Sequence, residues 1–180
     1  PRSGTSLMMR MLEVGGMEVV VDGLRGANAD NPNGYYEFEP VKALARDDSW
    51  VAGAAGKAVK VIYKLVYDLP PGLRYRVLFM QRDLGEVLRS QETMMRRDGL
   101  DPDEIGRDVL MRLFQTDLVT FEAWAAAQAN IDMLHVGYRD LVGRPAGTVA
   151  EVSRFLDGGL DTAAMAQAVD ARLYRNRTDA

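Results

Sequence analysis

Two near-continuous apolar runs, at residues 58–63 and 75–80, constrain the fold of this chain more than any other feature. They read Ala-Val-Lys-Val-Ile-Tyr and Tyr-Arg-Val-Leu-Phe-Met, and an Asp-Leu-Pro-Pro-Gly segment at 68–72 separates them. Runs of this kind are typical of parallel strands that helices cover on both faces. We therefore predict two strands at the centre of an α/β sheet.

Segments with helical or strand periodicity alternate along the rest of the chain. The alternation over 180 residues predicts one α/β domain, residues 1–180, with three layers, in which helices flank a mostly parallel central sheet. In the long helix that begins after Asp101-Pro102, five side chains are predicted to face inward: Ile105, Val109, Leu113, Val119 and Trp124. Further strands are predicted at 17–21 and 133–136, and further helices at 7–12, 35–48, 84–97, 148–156 and 162–173.

Composition excludes several classes of function. The chain is 47% apolar, carries a formal charge of −4, and contains no cysteine and one histidine. These values disfavour disorder, a nucleic-acid surface, disulfides and a metal site built from Cys or His. No apolar run is long enough to span a bilayer. We expect a cytoplasmic protein without a metal.

The first residues, Pro1-Arg2-Ser3-Gly4-Thr5-Ser6, predict a short loop that opens onto a helix. The N–H groups of a first helical turn lack intrahelical partners, and the helix dipole places positive charge there. With a glycine that permits close approach and an arginine beside it, the segment suits a phosphate-like anion. The alternative is an ordinary capped helix preceded by a turn.

This loop differs from the phosphate loop of ATP-binding proteins. That loop has the pattern G-x-x-x-x-G-K-[ST], in which the hydroxyl holds magnesium, whereas here one glycine is present and no lysine follows it. We expect an anion site that requires no metal. Since phosphate loops in α/β folds normally follow a buried strand, we also expect a strand before Pro1.

A second candidate phosphate site follows the run at 75–80. Arg82 lies where that strand should end, at the edge of the sheet where open α/β folds bind ligands, and Ser90 is eight residues further along a predicted helix. The pair could hold a second phosphate. The alternative is that Arg82 pairs with Asp83 or another carboxylate and that Ser90 lies at the surface.

Together, the loop, the segment V-L-F-M-Q-R-D-L-G-E-V-L-R-S at 77–90 and Y-R-D-L-V at 138–142 resemble the sulfotransferase family. The arginine in the loop is more similar to the tyrosylprotein and small bacterial members than to the cytosolic ones, and Asn31–Glu37 also resembles the bacterial group. The resemblance implies a P-loop-like fold and 3′-phosphoadenosine 5′-phosphosulfate (PAPS) as co-substrate. It implies that the loop (Arg2, Ser3, Gly4, Thr5, Ser6) holds the 5′-phosphosulfate, that Arg82 and Ser90 hold the 3′-phosphate, and that Tyr138 lies near the nucleotide. A basic residue that often follows the serine by four positions is Met94 here.

Lys60 is the candidate for the catalytic cation, together with Arg2. It interrupts an apolar run, where a charge is costly unless it is partnered, and the resemblance places a catalytic lysine on this strand. The alternative is that Lys60 extends from a strand end into water. Glu37 is the first candidate for the general base and Asp22 the second, with Glu39 and other groups as further alternatives. His135 is interpreted as a core histidine.

The expected function is transfer of a sulfuryl group from PAPS to a hydroxyl or amine of a small molecule, carbohydrate or peptide. One alternative is a sulfotransferase-like module that binds the nucleotide without transferring the group. The other is a phosphotransferase with an unusual phosphate loop, which would need magnesium and favour ATP.

Overall fold

In the computed structural model, residues 3–24, 26, 34–97, 99 and 106–169 are described. These residues combine helices with a two-stranded sheet. The strands are β1 (Tyr75–Gln81) and β2 (Ile131–Gly137). The α-helices are α1 (Thr5–Val14), α2 (Leu84–Arg97), α3 (Arg107–Ala126), α4 (Tyr138–Gly143), α5 (Pro145–Phe155) and α6 (Thr162–Gln167), and the 3₁₀ segments are Glu39–Ala43, Ala52–Ala54 and Tyr63–Asp68.

The two strands are parallel and in full register. Tyr75 lies opposite Ile131, and Gln81 lies opposite Gly137. Because successive side chains of a strand point to opposite faces, each strand contributes to a hydrophobic core on either side of the sheet. The predicted strand at 75–80 is confirmed as β1, and the predicted strand at 133–136 lies within β2.

The first core joins the sheet to α1, α4, α5 and α6. Met80 and Val136 reach it from the strands. The helices contribute side chains that are almost fully buried, and each removes apolar surface from water, which stabilises the fold. These helical residues are Met8, Met11, Leu12, Tyr138, Leu141, Val149, Val152 and Met165.

The second core lies on the other face of the sheet and is rich in aromatic rings. Phe121 of α3 is fully buried at its centre. Its ring centroid lies 5.3 Å from that of Phe79 in β1 and 5.5 Å from that of Tyr63, distances typical of favourable aromatic pairs. The sheet is therefore covered by helical structure on both faces.

Two predicted strands are wrong. Residues 17–21 and 58–63 are joined only by an isolated parallel bridge between Val19 and Ala58. Residues 59–62 form no helix, turn or strand. Ile62 has extended dihedral angles, with φ −77° and ψ 134°, and a 3₁₀ segment begins at Tyr63. Both stretches have an apolar pattern, but their residues are only half-buried or exposed. A strand also needs a hydrogen-bonded neighbour along its length, and the described residues supply one at a single position.

The predicted helix at 35–48 is also wrong, because only Glu39–Ala43 is helical, as a 3₁₀ segment. Tyr36 has a φ of 51°, outside the right-handed helical region. The next residue, Glu37, accepts a hydrogen bond through its backbone from Asp22 N at 3.2 Å. The apolar spacing therefore reflects packing of an irregular segment.

The predicted helix at 84–97 is confirmed as α2, whereas the inward face assigned to the next helix is wrong at three of its positions. Val109, Leu113 and Val119 are exposed, and the buried positions of α3 are Phe121 and Ala125. Trp124 packs against the second core, as predicted. Only the C-terminal part of α3 packs on the sheet, so the N-terminal apolar residues do not meet a core. Of the residues predicted to open and line this helix, Asp101, Pro102 and Ile105 lie outside the described residues, as do residues 170–173 of the last predicted helix.

Candidate functional site

The loop before α1 ends in a backbone conformation that favours glycine. Gly4 has a φ of 100°, and α1 starts at the next residue, Thr5. The N-cap residue, Gly4, has no side chain that could cap the first turn of α1. The N–H groups of that turn point beyond the end of the helix, where an anion can accept them. Ser3 and Gly4 form a bend, Thr5 and Ser6 belong to the first turn, and Arg2 lies outside the described residues.

Gly4 also packs tightly against two distant residues. A Cβ atom built at this position would overlap the Tyr138 ring and lie 3.4 Å from Cε of Met80. Met80 is the penultimate residue of β1, and Tyr138 follows β2 directly. The loop therefore sits over the carboxyl ends of both strands, the edge at which open α/β sheets bind ligands.

Lys60 reaches the same loop from the extended segment at 58–62. Its ammonium Nζ donates to the carbonyl oxygen of Tyr35 at 2.7 Å and to Oγ of Ser6 at 3.2 Å. Ser6 Oγ in turn donates to the same carbonyl at 3.2 Å. The alternative in which Lys60 extends into water is thus disfavoured, because its charge is held within hydrogen-bonding distance of the start of α1.

Arg82 and Glu86 form a buried ion pair where β1 leads into α2. Arg82 Nε lies 2.9 Å from Glu86 Oε2, and the two side chains are only 9% and 1% exposed. Arg82 therefore pairs with a carboxylate, which was one of the predicted alternatives, and its partner is Glu86. Asp83 has a different role, since its Oδ1 accepts the N–H of Glu86 at 3.0 Å and caps α2. Ser90 is 2% exposed, so its predicted alternative as a surface residue is wrong.

Tyr138 connects the loop to Arg82. The Arg82 guanidinium carbon lies 4.6 Å from the centroid of the Tyr138 ring, a distance that permits a cation–π interaction. Gly4 packs against the same ring, as described above. A continuous series of contacts thus runs from Lys60 through Ser6, Gly4 and Tyr138 to Arg82.

The two candidate bases lie on adjacent backbone segments but differ in their surroundings. Asp22 Oδ1 accepts the N–H of Leu24 at 2.9 Å, and Oδ2 accepts that of Glu39 at 2.5 Å. These backbone donors hold the pKa of the Asp22 carboxyl below its ordinary value of 3.8, since hydrogen bonds to the charged form favour it. Glu37 is half-buried and lies two residues from Tyr35, whose carbonyl accepts from Lys60.

Tyr36 adopts an unusual conformation beside this site. A φ of 51° is uncommon for a bulky residue, and the phenol hydroxyl donates to Glu13 Oε2 at 2.5 Å. Burial, followed by the hydrogen bond to Glu13, raises the pKa of the Tyr36 phenol above its ordinary value of 10.0. The hydrogen bond between Tyr36 and Glu13 connects the segment that carries Tyr35 and Glu37 to α1.

His135 is not the core histidine that was predicted, because its side chain is 43% exposed. It points from β2 toward Glu122 of α3, with 3.8 Å between His135 Nδ1 and Glu122 Oε1. The alternation of a strand places it on the face opposite Val136, where its ring centroid lies 5.5 Å from that of Phe79.

Two contributors to the site were missed in the sequence. Glu86 follows Arg82 by four residues, a spacing that brings side chains together on a helix, so it could have been predicted. The carbonyl of Tyr35 carries no sequence signal, because any residue has a carbonyl and the fold alone brings it to Lys60 and Ser6.

Within the part of the chain that the structure describes, no group of three or more His, Cys, Asp or Glu side chains could hold a metal ion. No helix in that part is both long and apolar enough to cross a membrane. Comparisons of the chain with protein-family models, with curated proteins and with solved structures return no match.

Proposed function

We propose that this protein is a PAPS-dependent sulfotransferase whose domain is a three-layer, P-loop-like α/β fold. The observation that carries the proposal is the contact of Lys60 Nζ with Ser6 Oγ at the uncapped start of α1. It places a cation beside a helix N-terminus, and the two together suit a phosphosulfate group. Helical structure on both faces of a parallel sheet supports the fold part of the proposal.

In the proposed reaction, an acceptor oxygen or nitrogen attacks the sulfur of PAPS in line with the leaving phosphate oxygen. The new bond to sulfur forms as the sulfur–oxygen bond to the phosphate breaks, and the electron pair of that bond leaves with adenosine 3′,5′-bisphosphate. Lys60, Arg2 and the backbone and hydroxyl donors of the loop (Ser3, Gly4, Thr5, Ser6) stabilise the charge on the leaving phosphate. The chemistry resembles phosphoryl transfer, in which positioning and electrostatics supply most of the catalysis.

The proposed 3′-phosphate site consists of Arg82, Ser90 and Tyr138. The Arg82–Glu86 ion pair fixes the guanidinium group in one orientation, and the ring of Tyr138 lies against its face. Such preorganisation lowers the entropy lost on binding. The nucleotide would then extend from these three residues to the loop along the Tyr138 side chain.

Glu37 is the better of the two candidate bases in this proposal. Both oxygens of Asp22 accept backbone hydrogen bonds and its pKa is lowered, which makes it a poor proton acceptor. Glu37 follows the segment that Lys60 contacts through Tyr35. It would accept the proton of the acceptor hydroxyl or amine.

The first test is calorimetric titration with adenosine 3′,5′-bisphosphate in EDTA. The proposal expects micromolar binding by the wild type and a loss of about tenfold or more in Ser90→Ala, because a buried donor to the phosphate is removed. Arg82→Ala should also weaken binding by about tenfold or more, because it removes the charged donor of the proposed site. Its matched control is Arg144→Ala, which removes an exposed arginine that pairs with Asp140 of α4. A folded wild type that binds no bisphosphate contradicts the proposal, whereas tight binding of ATP that requires magnesium favours the phosphotransferase alternative.

A second test separates transfer from binding. Lys60→Ala should lower the release of bisphosphate from PAPS by about 10²–10³-fold, the usual effect of removing one group that stabilises developing charge. Binding of the bisphosphate should change much less. Lys64→Ala is the control, because Lys64 is 59% exposed and pairs with Asp117 instead. A wild type that binds the nucleotide but releases nothing with any hydroxyl or amine acceptor supports the non-catalytic module.

A further inference from the structure

The edge of β1 that faces away from β2 carries backbone groups without a hydrogen-bond partner among the described residues. Tyr75 N donates to Asn130 O at 2.8 Å, and in a parallel pair alternate residues of a strand bond to the same neighbour. The backbone groups of Arg76, Leu78 and Met80 therefore point to the other side. No backbone–backbone hydrogen bond joins them to a described residue outside the sheet, although Met80 is only 7% exposed.

The extended segment at 58–62 has a similar edge. Ala58 donates to Glu18 O at 2.8 Å and accepts from Val20 N at 2.9 Å, so both of its backbone groups face the segment at 18–20. By the same alternation, the backbone groups of Val59 and Val61 face the opposite side. Within the residues that the structure covers, these two also have no backbone partner.

The two edges belong to one layer of the fold. In β1, Leu78 packs on the first core and Phe79 on the second. The segment at 58–62 does the same, with Ala58 on the first core and Val61 on the second. Both segments thus present alternate residues to the same two cores, although no described hydrogen bond connects them.

The loop before α1 contacts both β1 and the extended segment, and it therefore indicates where the space between their two edges lies. Gly4 lies against Met80, near the end of β1, and Ser6 lies against Lys60 of the extended segment. The contact of the extended segment comes from its middle residue, Lys60. Since Ala58 pairs in parallel with Val19, which follows the end of α1 that is away from the loop, the segment at 58–62 runs toward the loop, as β1 does. The free edge of β2 is less suitable for a neighbour, because exposed charged or polar residues such as Asp132 and His135 protect edge strands from pairing.

We propose that the space between β1 and residues 58–62 is a groove that binds one extended peptide segment, parallel to β1 and hydrogen-bonded on both of its edges. Its residues are apolar and β-branched, because cores on both faces would cover them. Its length is about five residues, enough to follow Arg76–Met80 at ~3.3 Å per residue. Strand addition of this kind derives affinity from the backbone and specificity from the side chains. The proposal does not depend on the nucleotide site.

The test uses the 180-residue chain and a synthetic peptide with five Val and Ile residues between terminal lysine pairs. Hydrogen exchange, followed by NMR, is measured at the amides of Val59, Val61, Leu78 and Met80. Exchange at these amides should slow by at least about tenfold when the peptide is present, and the melting temperature should rise with peptide concentration.

Two control peptides determine whether both edges of the groove are used. Each carries N-methyl groups on alternate residues, so that each lacks the donors on one edge only. Both should fail to protect the four amides if the peptide lies between two strands, whereas one should still act if it pairs with β1 alone.

Three results would overturn the proposal. The first is that the amides of Leu78 and Met80 are already protected in the chain alone. The second is that the peptide protects Met133 and His135 of β2 instead, and the third is that the peptide has no effect on exchange.

Discussion

At the scale of single residues, Lys60 shows how one charge in an apolar segment defines a site. A lysine that interrupts a buried run must find a partner, because an unpartnered buried charge is very costly. Its ammonium group finds the Tyr35 carbonyl and the Ser6 hydroxyl at the start of α1. The sequence indicated that Lys60 needed a partner, whereas the fold determined which atoms provide one.

Gly4→Ala should destabilise the chain strongly. The substitution combines a backbone φ of 100° with a Cβ that overlaps the Tyr138 ring. Gly16→Ala is the matched control, since its φ is 96° but nothing lies within 4 Å of its Cβ. We expect a loss of about 1–2 kcal/mol for the control from backbone strain, and about 1–3 kcal/mol more for Gly4→Ala from overpacking. Urea denaturation of both variants is the measurement, and equal losses would contradict the role of Tyr138.

Asp22→Asn should change how stability depends on pH. The pKa of Asp22 is lowered in the folded chain from its ordinary value of 3.8. Its charged form therefore stabilises the fold above that value, and this stabilisation is lost as the pH falls through the lowered pKa. We expect the variant to be less stable than the wild type at about pH 7, and the difference to shrink at about pH 3. Denaturation curves that stay equally far apart at both pH values would be inconsistent with this role.

At the scale of elements, the unit that extends from β1 into α2 was the easiest part of the chain to predict. An uninterrupted apolar run predicted β1, and helical periodicity predicted α2 with the bounds that the structure has. Its polar contacts are also local, with Asp83 as the cap and Glu86 one helical turn from Arg82. Sequence reasoning succeeds here because the interactions that define the unit lie within a few residues.

The buried Arg82–Glu86 pair should be far more important for stability than an exposed pair with the same spacing. Asp140 and Arg144 also lie four residues apart, but their side chains are 58% and 80% exposed. Truncation of Glu86 to Ala should cost about 3–5 kcal/mol, because it leaves Arg82 buried without that carboxylate. Asp140→Ala should cost less than about 1 kcal/mol.

The double variant Arg82→Met/Glu86→Leu provides the internal control for this prediction. Replacement of both charges by apolar groups should recover most of the loss, as it often does for buried ion pairs. The matching single variants are Arg82→Met and Glu86→Leu. A double variant that loses as much as these two single variants together would show that the side chains act independently. Thermal and urea denaturation measure all three.

At the scale of the whole molecule, two cores share one sheet. The first is packed by α1, α4, α5 and α6, and the second by α3 and the 3₁₀ segment Tyr63–Asp68. Because β1 and β2 supply side chains to both, loss of either core removes support from the other. We therefore expect the described part of the chain to unfold as one unit.

Substitutions in the two cores test this expectation. Phe121→Ala should cost about 3–5 kcal/mol and Leu141→Ala about 2–5 kcal/mol, since both side chains are fully buried. Leu24→Ala is the control, because Leu24 is 76% exposed and should change stability by less than about 0.5 kcal/mol. Each variant should keep a single urea transition with an unchanged slope. Two separate transitions in either core variant would disprove the coupling.

The features of the whole molecule that the sequence could not predict depend on contacts between segments that are far apart in the sequence. The residues at 58–63 are as apolar as those of β1, yet they pair with residues 17–21 at one bridged position only. Val109, Leu113 and Val119 follow a helical pattern but are exposed, because the position of α3 on the sheet is set by Phe121 and Ala125. Periodicity identifies residues that suit burial, whereas pairing and coverage depend on segments that are far away in the sequence.

Helix α1 is held at both ends by glycines that touch distant side chains. Gly4 lies against Tyr138, and a Cβ at Gly15 would lie 2.7 Å from Cγ of Met165 in α6. An insertion or deletion of one residue within α1 would rotate one end relative to the other by ~100° and shift it by ~1.5 Å. Both glycines could not then keep their contacts. The number of residues between Gly4 and Gly15 is therefore fixed more strictly than the identity of the residues on the outer face of the helix.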